Sequence, residues 1–294
     1  MLRFSQIVVL LTSLMSACPP LTASGREVPK KQTEIWIGDV LGSAESIRYK
    51  SYVLEKRTRE VELDLGTETA LSIDVSYAVL KRNRRVLARF DGDIYFGAGN
   101  AVRFGLVSIL GGPTKQAVIS QDIFRGGAQW IVNLAGKPRI IFNGMHWSVG
   151  REGDDMTIVD LDGDGVFEVI VPITDFYSLQ DKMSMSQIPL PEIVFRYDLK
   201  RKKYLPANPR FRNYLFGEIR KLDSRNTIKD EFAIRSAVLH MVLTHIYAGR
   251  RKEGWQIYNR TYRLDDRVEL KRRIKSTLRQ QPVYNFIYRR ARRK

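Results

Sequence analysis

The run Asp160-Leu-Asp162-Gly-Asp164-Gly-Val166-Phe-Glu168 sets carboxylates at alternate positions of a glycine-punctuated turn. Hard divalent cations take six to eight oxygen ligands, and this spacing turns the carboxylates inward around one point. Asp160, Asp162 and Asp164 occupy positions 1, 3 and 5. Val166 at position 7 offers a backbone carbonyl, and Glu168 at position 9 can close the cage. Gly165 takes the sharp backbone turn that a Cβ would resist. From Glu152 to Glu168 there are seven acidic residues and no cation, in a chain of net charge +17. Clustered carboxylates repel unless a cation neutralises them, so the expected cofactor is one structural Ca2+. The loop is not an EF-hand: position 12 is Val171 rather than glutamate, and the flanks Met156–Val159 and Phe167–Val171 read as strands.

Other chemistry is sparse. The chain has no nucleophile elbow, metalloprotease helix or Walker loop, and Gly97-Ala-Gly99-Asn100 reads as a turn. His240 and His245, five apart on an expected helix, do not share a face and read as core or boundary residues. His146, in Asn143-Gly-Met-His-Trp147, sits near the acidic cluster. Two function classes follow. The leading one is a non-catalytic binding or structural protein. The alternative is a hydrolase of glycans or phosphoesters using carboxylates among Glu152, Asp154 and Asp155 near His146.

The elements that must position the loop are β in character. From Glu34 to about Ala207 the pattern is period two, clearest in Leu71–Tyr77, with a hairpin turn expected at Asn83 between Tyr77–Leu80 and Val86–Phe90. After Pro209 the period becomes helical. Helices are expected over Phe211–Leu222, Ile228–Tyr247, Glu253–Tyr262, Asp265–Gln280 and Val283–Tyr288, with Gly249 as a C-terminal stop. The fold class is therefore α+β: a mostly antiparallel β part over 34–208, then an all-α module over 209–294.

An internal repeat underlies the β part. Leu106–Ile119 lies over Ile158–Val171 at constant offset, and Trp130-Ile-Val-Asn-Leu134 over Phe195-Arg-Tyr-Asp-Leu199. The extra residues of the second copy fall within Tyr177–Pro191. Each copy reads as four strands, the size of a propeller blade. In the first copy, Ser108–Gln116 lacks the carboxylates, so no metal is expected there.

Strand, loop and strand together resemble the FG-GAP and VCBS-type repeats of integrin-like β-propellers, and Phe104-Gly105 stands where those repeats begin. The resemblance covers about residues 104–207. It implies a loop that binds calcium between two strands of a blade, with Asp160, Asp162, Asp164, Val166 and Glu168 as ligands. Glu168 departs from the more usual aspartate. Tyr247-Ala-Gly-Arg-Arg-Lys-Glu253-Gly-Trp255 resembles the inter-helix turn of a tetratricopeptide-like hairpin.

The N-terminus reads as an export signal over 1–23: Arg3, a mostly apolar run from Ile7 to Met15, then small residues. Two processing outcomes are open. Met15-Ser-Ala-Cys18 resembles a lipobox, which implies lipidation of Cys18; the other outcome is cleavage after Ala23. Residues 24–33 form a linker. Cys18 is the sole cysteine, which excludes an intramolecular disulfide. The expected location is periplasmic, envelope-anchored or secreted, with no transmembrane span. From Arg263 to Lys294 there are 12 cations and 3 anions, a tail that attracts polyanions, and polyanion binding by this tail is a third function class. The expected partner is a protein, a glycan or an anionic envelope surface; nucleic acid is not expected for an exported chain.

Overall fold

Alternating apolar and polar residues become strand pairing over the first part of the chain. The computed structural model of the protein describes residues 34–63, 71–92, 101–123, 126–150, 156–179, 181, 188, 190–223 and 231–291. The leader with Cys18, the linker, Gly97–Asn100 and the carboxylates Glu152, Asp154 and Asp155 lie outside the described residues. The fold is α+β, with mostly antiparallel strands in three sheets and a helical C-terminal region. The chain divides into a β unit, residues 32–174 with 193–206, and a helical unit that includes 175–192 and 207–294.

In the β unit, β1 (Glu34–Trp36) and a helical turn α1 (Ile37–Val40) precede a meander of β2 (Ser46–Tyr49), β3 (Tyr52–Leu63), β4 (Leu71–Arg82) and β5 (Arg85–Phe90). The turn expected at Asn83 is the two-residue turn Asn83-Arg84, with φ of 49° and 66°. Positive φ at both positions matches the twist of a hairpin. A second meander follows: β6 (Ala101–Val107), β7 (Gln116–Ile123), β8 (Gly126–Asn133) and β9 (Arg139–Asn143), ending in the short helix α2 (Gly144–Trp147). The third sheet contains β10 (Thr157–Val159), β11 (Glu168–Pro172), β12 (Glu192–Asp198) and β13 (Lys203–Pro206), with β1 added at the edge of β10.

Period-two side chains join the sheets. Tyr52, Leu54, Ala78, Leu80 and Phe90 of the first sheet form one core with Phe104, Ile119, Trp130 and Val132 of the second. Phe90 meets Trp130 edge to face at 5.7 Å. The opposite face of the second sheet carries the paired residues Val118, Ile131 and Phe142, all buried. Phe142 meets Phe195 of the third sheet at 5.1 Å. Burial on both faces explains why Ala117–Ile119 and Trp130–Val132 are unbroken apolar triplets rather than strict alternation.

The helical unit holds a 3-10 turn (Asp175–Leu179) and helices α3 (Arg212–Asp223), α4 (Glu231–Tyr247), α5 (Arg251–Thr261), α6 (Arg267–Gln280) and α7 (Pro282–Ala291). α4 buries residues around most of its circumference, as its all-round apolar sequence requires. Gly249, at φ +84°, ends it: the Arg250 N–H donates to the His245 carbonyl at 2.8 Å, satisfying an orphan of the last turn. A Cβ on Gly254 would sit 2.9 Å from the Val242 carbonyl oxygen, so glycine lets α5 lie close to α4. On α6, Leu270, Ile274 and Leu278 recur every fourth residue and are buried. Residues 175–192, which the sequence pattern assigns to the β part, belong to the helical unit. Gln281 Nε2 donates to Asp175 Oδ2 at 2.9 Å, and the Arg273 guanidinium grips Asp181 at 2.7 and 2.8 Å. A two-point guanidinium–carboxylate pair fixes orientation as well as proximity.

One polar network in this unit yields a direct prediction. Arg235 is 8% exposed; its Nε donates to the Tyr262 hydroxyl at 2.8 Å and its Nη2 lies 3.3 Å from Asp266 Oδ2. The Tyr262 hydroxyl donates in turn to Asp266 Oδ1 at 2.8 Å. Arg235→Ala leaves the Asp266 carboxylate without this cation and is expected to cost about 2–3 kcal/mol. Urea unfolding followed by far-ultraviolet circular dichroism measures the loss; an unchanged midpoint contradicts it.

Candidate metal centre

The aspartate loop joins β10 to β11, inside a hairpin whose register pairs Val159 with Glu168. Asp160 organises it. Its Oδ1 accepts the N–H groups of Gly163 at 2.8 Å and Asp164 at 3.1 Å, and its Oδ2 accepts that of Gly165 at 3.0 Å. Gly163 and Gly165 have φ of 72° and 79°, where a Cβ is strained. The loop leans on the glycine turn of the second sheet. Leu110 bridges Val166, and the Phe167 N–H donates to the Ile109 carbonyl at 3.0 Å. From β13, the Tyr204 hydroxyl donates to the Phe167 carbonyl at 2.9 Å.

Three of the expected ligands converge: one oxygen each from Asp160, Asp162 and Glu168 lie within 4.8 Å of one another. Asp164 is turned differently. Its Oδ1 accepts the Val166 N–H at 2.9 Å and its Oδ2 lies 2.6 Å from Arg196 Nη2. Glu168 is fully buried. Its Oε2 accepts the Leu161 N–H at 2.9 Å, while its Oε1 is buried with no hydrogen-bond partner. Burial, ahead of the Asp162 and Asp164 charges, pushes the Glu168 carboxyl up to about 7, against the lowering effect of the Leu161 N–H and Arg196.

The first copy of the repeat shows what that oxygen lacks. Gln116 aligns with Glu168 and is equally buried. Its Oε1 accepts the Ile109 N–H at 2.8 Å, as Glu168 Oε2 accepts that of Leu161. Its Nε2 then donates to the Thr114 carbonyl at 3.0 Å. Thr114 aligns with Val166, whose carbonyl is the position-7 ligand expected from the sequence. In the first copy an amide N–H serves that carbonyl. In the second copy the amide is replaced by a carboxyl oxygen, which once ionised can only accept. A cation held by Asp160, Asp162, Glu168 and the Val166 carbonyl would give that oxygen a direct ligand contact, and the donor set of oxygens suits a hard ion.

The residue that sequence reasoning missed is Arg196 on β12. Its Nη2 lies 2.6 Å from Asp164 Oδ2, and its Nε 3.5 Å from Asp162 Oδ2 and 3.6 Å from Glu168 Oε1. The last two separations exceed hydrogen-bond length, and Arg196 Nε has no hydrogen-bond partner. A signal was available. Arg196 is the one cation in Glu192–Asp198, and the repeat aligns it with the buried Ile131.

The histidines fall in separate places. His146 is exposed on α2, its ring 4.9 Å from that of Trp147. His240 and His245 are half-buried on α4. His245 Nδ1 lies 2.8 Å from the Met241 carbonyl, and burial lowers the pKa of both. On α6 the basic residues Arg267, Lys271, Lys275 and Arg279 recur every fourth position, forming one stripe. Lys271 and Lys275 hold their ammonium groups 5.6 and 5.5 Å from the Trp255 ring. Among the described residues, no helix is long and apolar enough to cross a membrane. No family model, curated protein or solved structure matches the chain.

Proposed function

We propose that the chain is an exported, non-catalytic binding protein whose β unit is clipped by one structural calcium ion. The observation that carries the reading is the buried Glu168 Oε1 without a hydrogen-bond partner, beside Asp160 and Asp162. Its counterpart Gln116 carries a donor in the same place. Propeller-like packing is part of the proposal: two four-strand meanders and the five-stranded third sheet pack in succession through apolar faces, as blades of the FG-GAP and VCBS type would. The basic stripe on α6 supports an anionic envelope surface as partner, with a protein or glycan as the other classes.

Equilibrium dialysis of the full chain tests the metal reading. One calcium ion per chain is expected, with Kd on the order of 10⁻⁴ to 10⁻³ M, as in extracellular modules, and with binding lost in Asp162→Ala. No retained ion at 10 mM calcium contradicts it. Turnover on a panel of glycan and phosphoester substrates would overturn the non-catalytic part.

A further inference from the structure

We propose that Arg196 is a tethered counter-cation of the aspartate loop. It neutralises the carboxylates when no ion is bound, and it holds the calcium affinity down to the weak range of extracellular sites. This rests on the calcium reading above.

Three observations point to it. Arg196 reaches the loop from a different strand, and its guanidinium lies within 4.0 Å of Asp162, Asp164 and Glu168 together. Two of those three are expected ion ligands by their convergence, and the third, Asp164, is expected by sequence position. The contacts at Asp162 and Glu168 are charge attraction without hydrogen bonds, since Arg196 Nε and Glu168 Oε1 both lack hydrogen-bond partners. The guanidinium therefore screens the buried carboxylate without satisfying it. The first copy supplies the internal control. Where Asp160, Asp162, Asp164 and Glu168 become Ser108, Leu110, Gly112 and Gln116, Arg196 becomes Ile131. Carboxylates and cation are absent together, as expected if the arginine is there for the charge.

An arriving divalent ion meets a guanidinium bound to the same oxygens. It must displace that group or bind beside it, and either costs affinity. With the side chain 30% exposed, removal of one unit charge at this range changes divalent affinity by about tenfold.

The test is calcium titration by calorimetry of the full-length wild type, Arg196→Gln and Arg196→Lys at pH 7.5. Arg196→Gln is expected to bind calcium about tenfold more tightly than wild type. Arg196→Lys, which keeps the charge but cannot span three carboxylates, is expected to fall between them. Equal or weaker binding by Arg196→Gln, with wild type binding normally, overturns the counter-cation and leaves the calcium reading standing. Binding by neither overturns the calcium reading and the inference with it. Binding by Arg196→Gln alone upholds the counter-cation and overturns calcium occupancy of the native loop. Should Arg196→Gln not fold, Arg196→Lys decides: affinity no tighter than wild type counts against the proposal.

Discussion

Replacing Glu168 by glutamine is expected to stabilise the calcium-free protein at pH 7.5 by on the order of 2–3 kcal/mol. The same change should abolish the response to calcium. A substitution that removes a proposed ligand and raises ion-free stability is unusual, and it follows from the repeat. Glutamine recreates the Gln116 arrangement, with an acceptor for the Leu161 N–H and a donor directed at the Val166 carbonyl, as Gln116 uses Ile109 and Thr114.

The pH dependence has a definite sign. Burial raises the Glu168 carboxyl from 4.5 to about 7, so the folded protein holds this proton more tightly than the unfolded chain does. Without calcium, stability from this group is fully present below about pH 4.5 and is lost as pH rises through about 7. The benefit of Glu168→Gln should therefore be near zero at pH 4.5 and full above pH 7.5. Urea unfolding in chelator at the two pH values reads it. A destabilised variant at pH 7.5 would show that the buried carboxylate is satisfied without an ion.

Gly105→Ala carries the other large expected effect, at least about 3 kcal/mol of destabilisation of the β unit. Gly105 lies on β6 directly beneath the end of α1. A Cβ there would sit 2.0 Å from the Val40 carbonyl oxygen and 2.7 Å from Val40 Cγ1. The backbone is pinned at this point, because the Gly42 N–H donates to the Phe104 carbonyl at 3.1 Å. A carbonyl so held cannot move aside as a flexible side chain would. Gly112→Ala is the control: a Cβ there meets nothing within 4 Å, and its cost should stay within about 1 kcal/mol. Equal urea midpoints for the two variants would contradict the packing at Gly105.

Local features were legible in the sequence wherever one segment carries its own signal. The Asn83 turn, the Gly249 stop and the helical period after Pro209 each depend on residues near in the chain. The convergence of Asp160, Asp162 and Glu168 was legible for the same reason, since all three lie on one hairpin. Features formed by distant segments were not. Asp175 and Asp181, in the insertion between β11 and β12, leave the β pattern because they are bonded by Gln281 and Arg273, about a hundred positions away. The turning of Asp164 from the cage toward Arg196 depends on a strand on the far side of that same insertion. Its only trace in sequence is a cation where the first copy has isoleucine. The role of Gly105 was equally hidden, since its near neighbour is the carbonyl of Val40.

Thermal unfolding of the full-length wild type at pH 7.5, in 10 mM calcium and in chelator, tests the calcium clip most directly. With Kd between about 10⁻⁴ and 10⁻³ M, linkage gives about 1.4–2.7 kcal/mol of stabilisation. For a unit of this size that is a rise in Tm of roughly 3–10 °C. The rise should disappear in Asp162→Ala. Superimposable wild-type curves in calcium and chelator would contradict the account.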